Sequence, residues 1–306
     1  MSLGRTFSIG THGLKIPAVG LGTWNSAPGQ VRTAVATAIA AGYRHIDCAA
    51  IYQNESEVGQ GIKDAGVARE KLWLTSKLWN SSHSPERVEL ALDETLKNLG
   101  VSYLDLYLMH WPVAFAKGKR EDGKPNIDWA LTEDPLPTWR ALEALVESGK
   151  VKHIGISNFT IGRAKRLLAQ AKIKPVVNQV ELNLRCAQPE LVAWSKANGI
   201  LLEAYSPLGS TGAPQLEDEV VQEIAKAHKV DPANVLISWQ IQRGLVVLPK
   251  SVTPSRIKSN FQDVELTSAE VDKLEARAKE LGESRTVDPS KGWGVKIFED
   301  GPSSKL

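Results

Sequence analysis

The sequence predicts an α/β protein, a (β/α)8 TIM barrel with an N-terminal β-hairpin and a C-terminal specificity tail, forming a single domain over residues 1–306. Two observations carry this. Eight short apolar runs alternate with segments of helical period almost to the end of the chain, and the connections are too short for a second domain. Strict strand–helix alternation implies parallel strands joined by right-handed crossovers, and eight such units close a barrel. A chain of 306 residues, 42% hydrophobic and 24% charged, is long enough for one large core of this kind.

The elements are taken in chain order. Thr6 to Ile9 and Leu14 to Ile16, joined by a turn at His12-Gly13, read as the hairpin. The barrel strands are expected at Val19 to Leu21, Arg44 to Asp47, Leu72 to Lys77, Leu104 to Met109, His153 to Ile156, Val176 to Val180, Leu201 to Tyr205 and Val246 to Leu248. Helical patterns include Gln30 to Ala41, Pro85 to Leu99, Trp139 to Glu147 and Pro189 to Asn198, with Gly42, Gly100, Gly149 and Gly199 as their stops. The longest irregular stretch, Val113 to Pro137, follows the fourth strand and reads as a lid or specificity loop.

Composition excludes several function classes. A balance of 37 basic against 35 acidic residues, with no basic block, argues against nucleic acid as a partner. Cys48 and Cys186 make neither a disulfide framework nor a metal-ligand spacing, so no metal is expected and a reducing compartment is. No apolar run approaches the roughly 20 residues that span a bilayer, and the first residues lack a secretory core, so no membrane association is expected. The tripeptide Ser304-Lys305-Leu306 is a peroxisomal address, giving a peroxisomal expectation in a eukaryote and a cytoplasmic one otherwise.

In a barrel of this class, chemistry sits at the carboxyl ends of the strands. There the second strand ends in Asp47 with Tyr52 five residues on, the third ends in Lys77, and the fourth runs into His110 and Trp111. This set suits reduction of a carbonyl, where charge develops on oxygen and a proton must be supplied. Tyr52 can donate it, Lys77 can stabilise the resulting phenolate, Asp47 can hold Lys77 charged, and His110 can orient the carbonyl. Taken singly, each has a structural explanation: a helix cap, a packing residue, an edge lysine, a core histidine. His45-x-Asp47 also suggests a metal-dependent hydrolase, but such a site needs several converging ligands that six scattered histidines do not provide.

The blocks GYRHIDCAAIYQNESEVGQGIK, LTSKLWN, YLDLYLMHWPVAF, GKVKHIGISNF, NQVELN, AYSPLG and LPKSVTPSRIKSN resemble the signature blocks of aldo-keto reductases over nearly the whole chain. Within the family, WNSAPGQV, IYQNE and SKLWN are most similar to fungal NADPH-dependent aldehyde reductases and glycerol dehydrogenases. The resemblance implies an NADPH-dependent enzyme reducing small aldehydes and some ketones, with Asp47, Tyr52, Lys77 and His110 as catalytic tetrad. Histidine at 110 favours carbonyl over double-bond reduction, since the family's steroid double-bond reductases carry glutamate there. The family also includes crystallin-like and channel-associated members, so a cofactor sensor or structural protein with little turnover is the alternative. A monomer is the default.

The same resemblance implies that Ser157, Asn158 and Gln179 hold the nicotinamide carboxamide, that Tyr205 stacks on the ring, and that Ser206, Pro207, Leu208 and Ser210 border the pyrophosphate. Thr23, Trp24 and Asp47 are also assigned to the cofactor. Lys250, Ser251, Val252 and Arg256 lie beside the eighth strand, where barrels commonly bind phosphate, and pairing a 2′-phosphate there favours NADPH over NADH. Ser259 stands where many family members carry a glutamate that, with the following Asn260, contacts the adenine. Of nine tryptophans, Trp24, Trp79 and Trp111 follow the first, third and fourth strands and are expected to wall the substrate site with Tyr52 and His110. The tail Glu283 to Asp300, with Trp293 and Phe298, should complete the pocket.

Overall fold

The computed structural model describes residues 3–9 and 13–298. His12 of the expected turn, the last two residues of the tail segment and the C-terminal tripeptide lie outside the described residues. Eight parallel strands form one sheet in sequential order: β1 (Leu21–Gly22), β2 (His45–Asp47), β3 (Trp73–Leu78), β4 (Leu104–Met109), β5 (Val151–Ser157), β6 (Val177–Glu181), β7 (Leu201–Tyr205) and β8 (Val246–Val247). Each falls on an expected run; Leu104–Met109 and Leu201–Tyr205 match it at both ends, and the other six are moved by one or more residues at one or both ends.

The seam between first and last strands explains the shortened β1. Val19 pairs with Val247, and Gly22 with Lys250, through isolated parallel bridges. Gly20 N donates to Val247 O at 2.9 Å, and Val247 N to Ala18 O at 2.8 Å, so the barrel closes without a continuous ladder. A side chain at Gly20 would bring its Cβ within 2.7 Å of Leu248 and 2.8 Å of the His45 ring, so this seam requires glycine.

The hairpin pairs Thr6–Ile9 with Leu14–Pro17. Its buried Ile9 and Ile16 pack with Trp73, Leu106, Val177 and Val246, plugging the amino-terminal end of the barrel and leaving the other rim for chemistry. Outer helices turn apolar stripes inward, as in Gln30–Ala41, which buries Val31, Ala34, Val35, Ala38 and Ile39 at helical spacing. Gly42 and Gly100 cap their helices in the left-handed conformation, whereas Gly149 and Gly199 sit one residue beyond the caps Ser148 and Asn198.

Two expectations are corrected. The helix expected from Trp139 begins at Leu136, because Pro137 in its first turn has no N–H that needs an acceptor and the Leu136 N–H is taken by Asp134 Oδ1 at 3.0 Å. Residues Val113 to Pro137 are not irregular: Ala114–Lys119 and Pro125–Asp128 pair as an antiparallel hairpin, followed by a short helix, Trp129–Glu133, capped by Asp128. The hairpin carries no clean apolar alternation, since most of its first strand faces solvent.

Candidate active site

Barrel geometry brings the four rim residues together. Lys77, fully buried in β3, donates from Nζ to Asp47 Oδ2 at 2.7 Å, to the Cys48 carbonyl oxygen at 2.8 Å and to the Tyr52 hydroxyl at 3.4 Å. These three acceptors match the three N–H bonds of an ammonium. Tyr52 reaches this position because only two residues separate β2 from a 3-10 turn, Ala50–Tyr52. The His110 ring stands edge-on to those of Tyr52 and Trp79, with centroids 6.0 and 5.3 Å away, and stacks on Trp111. The His110 carbonyl is held by Asn158 Nδ2 at 2.9 Å.

Electrostatics sort the roles. Burial disfavours the Lys77 ammonium, but Asp47 and the phenol oxygen outweigh it, and its pKa rises above the usual lysine value. Burial likewise raises the Tyr52 phenol against the lowering effect of Lys77, so the hydroxyl keeps its proton until something takes it. Burial, then Lys77 and His83, hold His110 well below the usual histidine value, so its ring is neutral.

Acid should destabilise the fold through such imidazoles. Burial pushes His45 down to about 4 and His83 to about 3, and His110 falls with them. The folded state then binds fewer protons than the unfolded one below the usual value of 6.5, so stability falls with pH in that range. Three imidazoles outweigh the two buried carboxyls of opposite sign, Glu55 and Glu203. Urea midpoints should be lower at about pH 5 than at about pH 7; equal midpoints would mean the rings are not held neutral.

A continuous cavity of about 1170 Å³ runs from this rim. At one end stand Trp24, Tyr52, Trp79, His110 and Trp111; it passes Thr23, Asp47, Asn158, Gln179 and Tyr205, and then Ser206, Pro207, Leu208 and Ser210; the other end holds Lys250, Ser251, Arg256 and Asn260. Three residues assigned to the site are absent from the cavity wall. Lys77 lies behind it, Ser157 is buried with its hydroxyl donating to the Gln179 carbonyl at 2.7 Å, and Val252 does not line it. Left-handed backbone at Asn158 (φ 64°), Ser206 (φ 50°) and Ser210 (φ 67°) lies on or beside the carboxyl ends of β5 and β7, and such strain gathers where ligands are held.

Other wall residues escaped the sequence reading. Thr211 to Ala213 extend the loop after β7, with only Gly212 as a signal. The tail itself was expected there: Thr286 to Pro289 and Trp293 line the cavity, Trp293 meets Trp79, Trp111 and Phe115 edge-on, and Phe298 packs on Trp111 without lining the cavity. The buried Glu181 carboxylate pins the tail, accepting from Thr286 N and Val287 N, each at 2.9 Å. Asp231 also lines the cavity, and its carboxylate accepts from the Ser259 hydroxyl.

A dinucleotide fits these residues. The cavity joins the rim to two cations, Lys250 and Arg256, that have no carboxylate partner among the described residues; Lys250 donates to the Asn25 carbonyl at 2.7 Å. Such cations at the end of a barrel cavity suit a phosphate.

Fold and rim together define a barrel enzyme with a buried ammonium poised against a phenol at its mouth. The aldo/keto reductase family pattern matches residues 18–279, and the chain belongs to that family. It is 46% identical over 294 residues to a glycerol 2-dehydrogenase (NADP(+)) of Saccharomyces cerevisiae, covering 91% of this chain and 92% of the relative. It is also 46% identical over 289 residues to aldo-keto reductase family 1 member A1 of Sus scrofa, covering 88% of each. The solved aldose reductase of Schistosoma japonicum superposes with a TM-score of 0.88 at 39% identity, over 96% of this chain and 98% of that one.

Proposed function

We propose that this aldo-keto reductase uses NADPH to reduce aldehydes and some ketones to alcohols, with Tyr52 as proton donor. The observation that carries this is the Lys77 ammonium held between Asp47 and the Tyr52 hydroxyl on the cavity that ends at Lys250 and Arg256. The NADP(+)-dependent relative supports the cofactor. Bound NADPH would supply a hydride from its nicotinamide C4 to the carbonyl carbon. Tyr52 gives its proton to the carbonyl oxygen, and Lys77 stabilises the phenolate left behind. The neutral His110 orients the carbonyl by hydrogen bonding. Trp79, Trp111 and Trp293 wall the mouth with apolar surface that keeps water from the reacting carbon and favours small aliphatic or aromatic aldehydes, glyceraldehyde-like ones included.

Gln179, Asn158 and Tyr205 would hold the nicotinamide end, and Lys250 and Arg256 the 2′-phosphate. Lys250→Ala or Arg256→Ala should weaken NADPH binding by about 1.5–3 kcal/mol while leaving NADH nearly unaffected. Fluorescence titration with both cofactors checks this; equal losses would remove the 2′-phosphate assignment. The reaction itself is tested by NADPH oxidation with glyceraldehyde, a pentose, an aromatic aldehyde and a keto ester. Turnover with one or more supports the reductase, and tight NADPH binding with none would favour a sensor or structural protein.

A further inference from the structure

Beneath the rim, one side chain touches two carboxyl groups. Gln179 on β6 donates from Nε2 to Asp47 Oδ1 and to Glu203 Oε2, each at 2.8 Å. Glu203 is the β7 residue in register beside it, fully buried, and the mechanism above gives it no role. Because the ionised Asp47 can only accept, the amide nitrogen is the end that faces the pair. The Gln179 side-chain oxygen accepts no hydrogen bond among the described residues, and Gln179 lines the cavity. Its two ends are therefore assigned: nitrogen to the carboxyls, oxygen to whatever N–H donor enters.

We propose that Glu203 is a positioning residue for this reaction, holding the Gln179 amide so that one side chain joins the nicotinamide carboxamide to the Asp47–Lys77–Tyr52 set. The proposal rests on the NADPH-dependent reading above. A glutamine bound only to Asp47 could rotate about its last torsion, whose well is broad. A second acceptor on the other N–H removes that freedom. Asp47 in turn is fixed on both oxygens, by Lys77 and by Gln179.

Glu203 also sets the charge of the cluster. The groups facing it are Asp47 and His45 from β2, Lys77 from β3 and the neutral Gln179 from β6, while β8 presents only apolar Val246 and its neighbours. His45 Nε2 stands 3.9 Å from Glu203 Oε1, which is buried with no hydrogen-bond partner among the described residues. Burial and then Asp47 push the Glu203 carboxyl up to about 8, against the lowering effects of Gln179 and Lys77. Below that pH the cluster carries one anion and one cation. Above it, a second anion raises the free energy of the Tyr52 phenolate that forms during reduction.

The test is the pH profile of kcat, with NADPH affinity by fluorescence quenching, for wild type, Glu203→Gln and Glu203→Leu. Wild-type kcat should fall as pH rises through about 8. Glu203→Gln, of equal volume and still an acceptor, should keep its rate through that range and bind NADPH within about threefold of wild type. Glu203→Leu should weaken NADPH binding about tenfold, because Gln179 loses an acceptor. A packing role alone would lower melting temperatures and leave the profile unmoved. Superimposable profiles for wild type and Glu203→Gln, or unchanged NADPH affinity in Glu203→Leu, overturn the proposal while leaving the reductase reading standing. A wild-type chain that fails to bind NADPH overturns both.

Discussion

Tyr52→Phe should lower kcat for aldehyde reduction by about 10²–10⁴-fold and leave NADPH affinity within about twofold of wild type. The substitution deletes one oxygen, the longest of the three contacts to Lys77 Nζ at 3.4 Å, and keeps the ring that lines the cavity. Lys77 retains Asp47 and the Cys48 carbonyl, so the ammonium stays charged and in place. The effect should therefore fall on kcat, with KM nearly unchanged, as expected when an interaction made only in the transition state is lost. Steady-state NADPH oxidation alongside cofactor titration separates the two parameters. Retained turnover would transfer the donor role to the other polar group at the rim, His110, which its neutral state makes a poor acid.

Much of this site was legible in the sequence because barrel chemistry is organised by strand ends. Asp47, Lys77 and His110 stand on or immediately after apolar runs that could only be strands, so their convergence on one rim followed from the fold class. Tyr52 followed less directly, since its place depends on a single 3-10 turn. What stayed hidden depends on contacts far apart in sequence or on weak local patterns. The hairpin Ala114–Lys119 with Pro125–Asp128 faces solvent along most of its first strand and shows no period of two, yet Phe115 meets Trp79 and Trp293. The tail is placed by Glu181, more than a hundred residues earlier, through backbone N–H groups that carry no residue signature.

Residues within strands posed a different difficulty. Glu203 sits in the run Leu201–Tyr205, where a lone carboxyl among apolar residues indicates burial but not a partner. Its partner is a glutamine already assigned to the cofactor, and only the register of β6 against β7 sets the two side by side. Asp231 was similarly silent: its position before Pro232 reads as a helix cap, which it is, while its contact with Ser259 on the cavity wall depends on two helices packing.

Asp47→Ala should cost about 3–5 kcal/mol of stability at neutral pH, because it leaves the Lys77 ammonium buried beside a carbonyl and a phenol with no anion. Gln179 would also lose one of its two acceptors. The pH dependence identifies the cause. In wild type the Lys77 pKa lies above the usual 10.5, so its contribution is fully present below that value and is lost as pH rises through the folded-state pKa. Without Asp47, burial dominates and the pKa drops below 10.5, so the folded state binds fewer protons than the unfolded one and stability rises with pH. Urea unfolding of Asp47→Ala at about pH 7 and about pH 9.5 should show part of the loss recovered at the higher pH, relative to wild type at each pH. Adding Lys77→Met should recover part of it at both, since the double variant buries no charge at this pair. A loss that is the same at both pH values and unrelieved by Lys77→Met would place the role of Asp47 in packing, leaving the charge on Lys77 to be held by other groups.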